Sequence, residues 1–143
     1  MKVLLIGGTR FLGLAIANAL HRHGHRVVVA HRGHTKAALP DTAREIHVDV
    51  ADQKSLESCL LAEQYDAVVD TILGAKTLEW MVTTLDGRIR QFVHCGSTGV
   101  YAPMKRIPAT EEDPCEALPQ YGGFGAKLEQ DEVLMRAHRQ TGF

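Results

Sequence analysis

The stretch VLLIGGTRFLG, residues 3–13, decides the fold. Its continuous apolar run is typical of a strand buried on both faces, and the run ends at the adjacent glycines Gly7 and Gly8. Helical spacing follows at once. Such a turn lets backbone N–H groups approach a pyrophosphate, whose charge the helix N-terminus favours. The stretch therefore predicts a dinucleotide site, and the alternative is a tight turn that binds no ligand.

Apolar, β-branched runs of strand length recur along the chain, with helical segments between them. The five predicted strands are residues 2–7, 25–30, 45–50, 66–72 and 91–96. Alternation of this kind predicts an α/β fold, a Rossmann-like doubly wound parallel sheet in the order 3-2-1-4-5. The first helix should end near Gly24, the second should run from an Asp52 cap to about Ala62, and the third should span residues 76–85.

Helical periodicity also predicts which helix positions face the core. For the first helix the predicted apolar stripe is Phe11, Leu12, Ala15, Ile16, Ala19 and Leu20, and for the second it is Leu56, Leu60 and Leu61. Residues 103–119 hold four of the five prolines and read as a surface loop. Helical spacing resumes over residues 126–140.

Composition limits the classes of function. The chain has 143 residues, 45% of them hydrophobic, and a formal charge of −1, which suits one globular domain over residues 1–143. Near-neutral charge gives no general reason to bind nucleic acid or membranes. With no charged leader and no apolar span near 18 residues, we expect no membrane association and a cytoplasmic location.

The cysteines and histidines do not suggest a metal centre. Three cysteines without C-x-x-C spacing read as reduced thiols. His21, His23 and His25 would not converge on one ion across a helix end. The other histidines considered, which are His34, His47 and His138, have no cysteine or carboxylate at ligand spacing. We therefore predict no metal site.

The end of the second strand bears on cofactor choice. An acidic residue there would bind the adenosine ribose and favour NAD(H), but the chain has His31 and Arg32. A guanidinium suits a 2'-phosphate, and Arg10 in the glycine turn can join Arg32 in holding it. These residues predict NADP(H), with NAD(H) and two merely solvated arginines as the alternative. Asp49 and Val50, after the third strand, could meet the adenine, or Asp49 could cap a turn.

The motifs GGTRFLG, HVDV and FVHCGSTGVYA, in this order, resemble the short-chain dehydrogenase/reductase superfamily. The resemblance is closest to its extended and atypical branch, which includes the NAD-dependent epimerase/dehydratase family. It implies that the turn residues bind the dinucleotide: Gly7, Gly8, Thr9, Arg10, Phe11, Leu12 and Gly13. Arg10 replaces the middle glycine of the extended branch's motif, a variant familiar among atypical members.

The resemblance also implies a chemical group. Ser97, just beyond the fifth strand, would hydrogen-bond the reacting oxygen, while a tyrosine tuned by a lysine would exchange a proton. Lys127 is the natural lysine, but Tyr121 precedes it by six residues instead of four. On an ideal helix the two would not share a face unless the glycines between them bend the backbone. Tyr121 could otherwise be a loop aromatic, and Ser97 a turn hydroxyl.

Extended members continue into a C-terminal substrate part that is not found in this sequence, so we expect a truncated form of a longer protein. The alternative is a naturally short protein in which partner subunits supply the missing wall of the pocket. The implied function is an NADP(H)-binding oxidoreductase acting on a nucleotide-sugar or a similar hydroxyl or carbonyl small molecule. The branch also implies a homodimer through the third helix and the Lys127 helix. The alternative is a non-catalytic sensor or RNA-binding module of the same fold.

Overall fold

The computed structural model describes all 143 residues, and its sheet is the one predicted. Five parallel strands pair in the order β3-β2-β1-β4-β5. They are β1 (Lys2–Ile6), β2 (Arg26–His31), β3 (Arg44–His47), β4 (Ala67–Asp70) and β5 (Gln91–His94). All lie in the first of two compact units, which comprises residues 1–73 and 84–95.

The middle of the sheet is buried. In central strand β1, Leu4, Leu5 and Ile6 are fully buried, and Leu5 pairs with Val29 of β2. Both faces of this strand are therefore covered, as the continuous apolar run predicted.

The second helix, α2 (Gln53–Leu61), begins as predicted, because the Asp52 side chain accepts hydrogen bonds from the backbone N–H groups of Lys54 and Ser55.

The predicted inner faces of two helices need correction. In α1 (Phe11–Arg22) the buried residues are Gly13 and Ala17, whereas Phe11 is 92% exposed and Leu12 is 51% exposed. Ala15 is exposed as well. Ile16 and Leu20 do pack against the core, as predicted. In α2, Leu56 and Leu60 are buried but Leu61 is 46% exposed, so its predicted inward position is wrong.

The second unit comprises residues 74–83 and 96–143. Helix α3 (Ala75–Leu85) begins in it, and α4 (Gly125–Thr141) buries Gln130, Val133 and Ala137 at helical spacing. Residues 103–118 contain no helix or strand, in agreement with the predicted loop. None of the helices combines the length and apolar character needed to cross a membrane.

The three cysteines differ in exposure, which gives a direct chemical test of the fold. Cys59 is 5% exposed, and burial raises the pKa of its thiol, whereas Cys115 is exposed. Because the thiolate is the reactive form, iodoacetamide at neutral pH should modify Cys115 well before Cys59 in the folded protein. Peptide mass mapping over time measures the order. If iodoacetamide modifies Cys59 and Cys115 at equal rates in the folded protein, and not only after denaturation, the packing of α2 is contradicted.

Candidate functional site

The glycine turn brings the start of α1 against the end of β1. Gly7 has φ +91°, and its N–H donates to the Ala30 carbonyl of β2 at 3.0 Å. A Cβ on Gly13 would lie 2.1 Å from the Gly7 carbonyl oxygen. Arg10 occupies the N-cap of α1 without a capping side-chain bond, and the first turn has no acidic residue. The helix N-terminus is therefore electrostatically suited to an anion.

A cavity of about 500 Å³ opens beside this turn. It is lined by Gly7, Thr9, Arg10, His31, Arg32, Gly33, His34, Thr35, Val48, Asp49, Val50, Ala51 and Ile72. These residues follow the carboxyl ends of four strands, where ligands bind in open α/β sheets. The size is within the range of small-molecule sites. Seven of the predicted cofactor residues share this wall, namely Gly7, Thr9, Arg10, His31, Arg32, Asp49 and Val50.

The other predicted turn residues do not line the cavity. Gly8 and Gly13 are buried, and a Cβ on Gly8 would lie 2.5 Å from a Val29 methyl carbon, so they allow the close packing behind the turn. Phe11 and Leu12 start α1 with exposed side chains. Phe11 has φ +40°, an uncommon value for a residue with a Cβ. Their predicted contact with a cofactor stays a prediction.

Polar contacts organise the basic side of the cavity. The Arg10 Nε donates to the Thr35 hydroxyl oxygen at 3.1 Å, which ties the glycine turn to the segment after β2. Arg32 is exposed at the cavity wall. Asp49 accepts a hydrogen bond from the Ala51 N–H at 3.0 Å, so it serves as a turn residue while also lining the cavity. Thr35 could not be found from the sequence, because no motif marks it.

A polar cluster beside the cavity was also not predicted from the sequence. Ligand atoms of His31, Glu45 and His47 all lie within 4.8 Å of one another. From its spacing in the sequence, His47 was expected to have no carboxylate partner. In the structure Glu45 lies two residues earlier on β3, and His31 of β2 pairs with His47 in register. Residues two apart on a strand share a face, and this signal could have shown Glu45 and His47 together.

Ser97, Tyr121 and Lys127 all lie in the second unit. The Ser97 side-chain oxygen accepts from the Gly99 N–H at 3.1 Å, which leaves the hydroxyl hydrogen to serve as a donor. This is the turn contact considered as the alternative, and it is compatible with the predicted role. Tyr121 ends a short 3-10 helix (Pro119–Tyr121) and is 51% exposed, whereas Lys127 lies in the first turn of α4.

The glycines between the tyrosine and the lysine do turn the backbone. Gly122 has φ +121° and Gly123 has φ +70°, so Tyr121 and Lys127 belong to separate helices. Tyr101, in the same unit, could be considered as a substitute acid or base. Burial, followed by the nearby Cys115 and Glu111, raises the pKa of Tyr101, which opposes formation of a tyrosinate. The role of Tyr121 stays a prediction.

Comparisons with known proteins identify the family of the chain. The sequence profile of the NAD dependent epimerase/dehydratase family matches residues 3–84. The chloroplast stem-loop binding protein of 41 kDa b from Arabidopsis thaliana is 30% identical over 93% of this chain and 38% of its own length. The 2'-dehydrokanamycin reductase of Streptomyces kanamyceticus is 27% identical over 85% of this chain and 35% of its own length.

A solved structure shows the same fold. UDP-glucose 4-epimerase from Bifidobacterium longum, in complex with NAD⁺ and UDP, superimposes with a TM-score of 0.80 at 17% identity. The match covers 97% of this chain and 49% of that structure. The chain thus spans little more than a third of the two curated relatives and about half of this structure.

Proposed function

Because the chain belongs to the NAD dependent epimerase/dehydratase family, we propose that residues 1–143 form a domain that prefers NADP(H) and serves an oxidoreductase. One observation supports this most strongly: the cavity beside the glycine turn is lined by Arg10 and Arg32, while the end of β2 has no carboxylate. Two arginines favour a 2'-phosphate, whereas an acidic residue at this point would repel it.

A titration with the two reduced cofactors tests the proposal. NADPH and NADH are added to the purified chain at one fixed salt concentration, and the cofactor fluorescence is followed. We expect tight NADPH binding and weaker NADH binding. Equal affinities would reject the NADP(H) preference while retaining a dinucleotide site. Absence of binding to both would indicate that this turn is structural or needs the rest of a longer protein.

Charge reversal at Arg32 should separate the two cofactors. The Arg32→Glu variant is expected to bind NADPH roughly ten- to a hundredfold more weakly, because a charge-assisted contact becomes a repulsion. NADH, which has no 2'-phosphate, should bind nearly as before. Affinities of both cofactors measured by fluorescence titration check the result.

Arg26→Glu is the matched control for this experiment. Arg26 is exposed at the amino end of the same strand. Its replacement by glutamate changes the net charge by the same amount as Arg32→Glu. It lies roughly 17 Å along β2 from Arg32's end of the strand, beyond the Debye length at physiological salt. An Arg26→Glu variant that lost as much NADPH affinity as Arg32→Glu would show an effect of overall charge alone.

For the chemical step we propose Ser97, Tyr121 and Lys127. The cofactor, when bound, would exchange a hydride with the substrate. The Ser97 hydroxyl would donate to the reacting oxygen, Tyr121 would transfer its proton, and the ammonium of Lys127 would favour the ionised tyrosine. Full turnover of nucleotide sugars by the Ser97→Ala and Tyr121→Phe variants, within the complete protein, would remove these assignments.

The substrate class rests on the relatives. The B. longum enzyme carries UDP, and its name gives a UDP-sugar substrate, so we propose a nucleotide-sugar or a similar hydroxyl or carbonyl compound. The homodimer and the cytoplasmic location stay predictions. The net charge of −1 gives no support to an RNA-binding module.

A further inference from the structure

His31 is a buried polar residue placed where the NAD(H)-specific pattern has a carboxylate. It is the last residue of β2 and is 7% exposed. Its Nδ1 accepts a hydrogen bond from the Gly33 N–H at 3.0 Å, and its Nε2 lies 2.8 Å from the Glu45 carboxylate. An Nδ1 that accepts from an amide carries no proton. The neutral ring therefore holds its proton on Nε2, where it donates to Glu45.

The bond to Gly33 closes a turn around Arg32. It joins a side chain to the backbone N–H two residues later, which is the connection that Asn and Asp make in an Asx-turn. Gly33 has φ +77°, and a Cβ there would lie 3.3 Å from the His47 ring. The His31 side chain thus holds the backbone that carries Arg32.

We infer that His31 is a positioning residue for 2'-phosphate recognition: it fixes the Arg32 turn through Gly33, and Glu45 holds its ring in the required tautomer. The inference rests on the proposed NADP(H) preference. It gives the residue at the end of β2 a purpose that needs no contact with the cofactor. It also explains why an imidazole can replace a carboxylate there, since both can accept from the same N–H.

The same three side chains could be considered as metal ligands, since their ligand atoms lie within 4.8 Å of one another. A histidine that binds a metal through one nitrogen normally donates its other ring N–H to an acceptor. In this cluster the other nitrogen of His31 faces the N–H of Gly33, which is itself a donor. A metal on Nε2 would require the ring proton on Nδ1, where it would face the N–H of Gly33. The geometry therefore favours a proton on Nε2.

Two substitutions of His31 separate the two bonds of its ring. In His31→Asn the side-chain oxygen can replace Nδ1 and accept from Gly33, as in an Asx-turn. In His31→Gln the longer amide can reach Glu45 but is placed poorly for Gly33. We expect His31→Asn to keep the ratio of NADPH to NADH affinity. His31→Gln should lower NADPH affinity about three- to tenfold, with NADH affinity unchanged.

A second measurement needs no cofactor. The Gly33 amide should be protected from hydrogen exchange in the wild-type protein and in His31→Asn, and should lose protection in His31→Gln. Equal protection in all three proteins would overturn the inference. So would a wild-type preference for NADPH that both variants retain, and this result would leave the proposed function intact. A wild-type protein without the preference would overturn both.

Glu45→Gln tests the metal directly. A glutamine keeps an acceptor for the Nε2 proton, so a positioning role predicts an unchanged ratio of cofactor affinities. Stoichiometric Zn²⁺ binding to the wild-type chain, lost in Glu45→Gln, would overturn the assignment in favour of a metal site. Zinc binding by calorimetry and the NADPH titration are made on the same preparations.

Discussion

Gly13→Ala is expected to destabilise the protein by about 3 kcal/mol or more, at the upper end of what overpacking costs. The added Cβ would lie 2.1 Å from the Gly7 carbonyl oxygen and 3.1 Å from the Gly8 Cα. These neighbours are backbone atoms, so no side-chain rotation relieves the clash. Helix α1 must then move away from β1, which removes the turn geometry that the dinucleotide needs. Denaturant unfolding followed by circular dichroism measures the loss.

Gly125→Ala provides the control for this substitution. Gly125 is the first residue of α4, its φ is not positive, and a Cβ there would meet no atom within 4 Å. Alanine favours a helix more than glycine does, so this variant should be as stable as the wild-type protein or gain up to about 1 kcal/mol. Similar unfolding curves for Gly13→Ala and the wild-type protein would contradict the close approach of α1 to β1.

The sequence could predict the sheet because the signals were local. Each strand is a short β-branched run that needs cover on both faces, and the connection rules then leave few strand orders. The rotation of α1 was harder to predict. Periodicity alone allowed a stripe through Phe11 and Leu12, whereas the contact of Gly13 with Gly7 turns the Gly13 and Ala17 face inward. That contact joins residues six apart and follows no helical spacing.

The position of the candidate cavity was predictable from the topology, whereas cofactor binding by its residues stays a prediction. Arg10, Arg32 and Asp49 share one cavity because the carboxyl ends of parallel strands meet at one edge. The role of His31 depends on Glu45, and that pairing follows from the register of β2 and β3, which hydrophobic pattern alone leaves open. Similarly, the positive φ values of Gly122 and Gly123 decide how the chain passes from Tyr121 to α4.

Asp70→Ala is expected to cost about 3 kcal/mol or more, because three hydrogen-bonding groups meet one buried carboxylate and each such bond contributes ~1–3 kcal/mol. Asp70 is fully buried at the carboxyl end of β4. One carboxylate oxygen accepts from the N–H groups of Ile72 and Leu73 at 2.8 and 2.9 Å. The other lies 2.7 Å from Nδ1 of His94, whose side chain is 4% exposed. Alanine would leave these donors without the carboxylate.

The effect should reach the cavity beside the glycine turn, because Asp70 holds the turn after β4. Ile72 lines that cavity, and a Cβ on Gly7 would lie 2.7 Å from its side chain. Asp70→Asn is the matched variant: its carbonyl oxygen can still accept from Ile72 and Leu73, so it should retain more stability and more NADPH affinity than alanine. If unfolding and titration show Asp70→Ala to equal Asp70→Asn in both quantities, the two backbone bonds do not hold the turn.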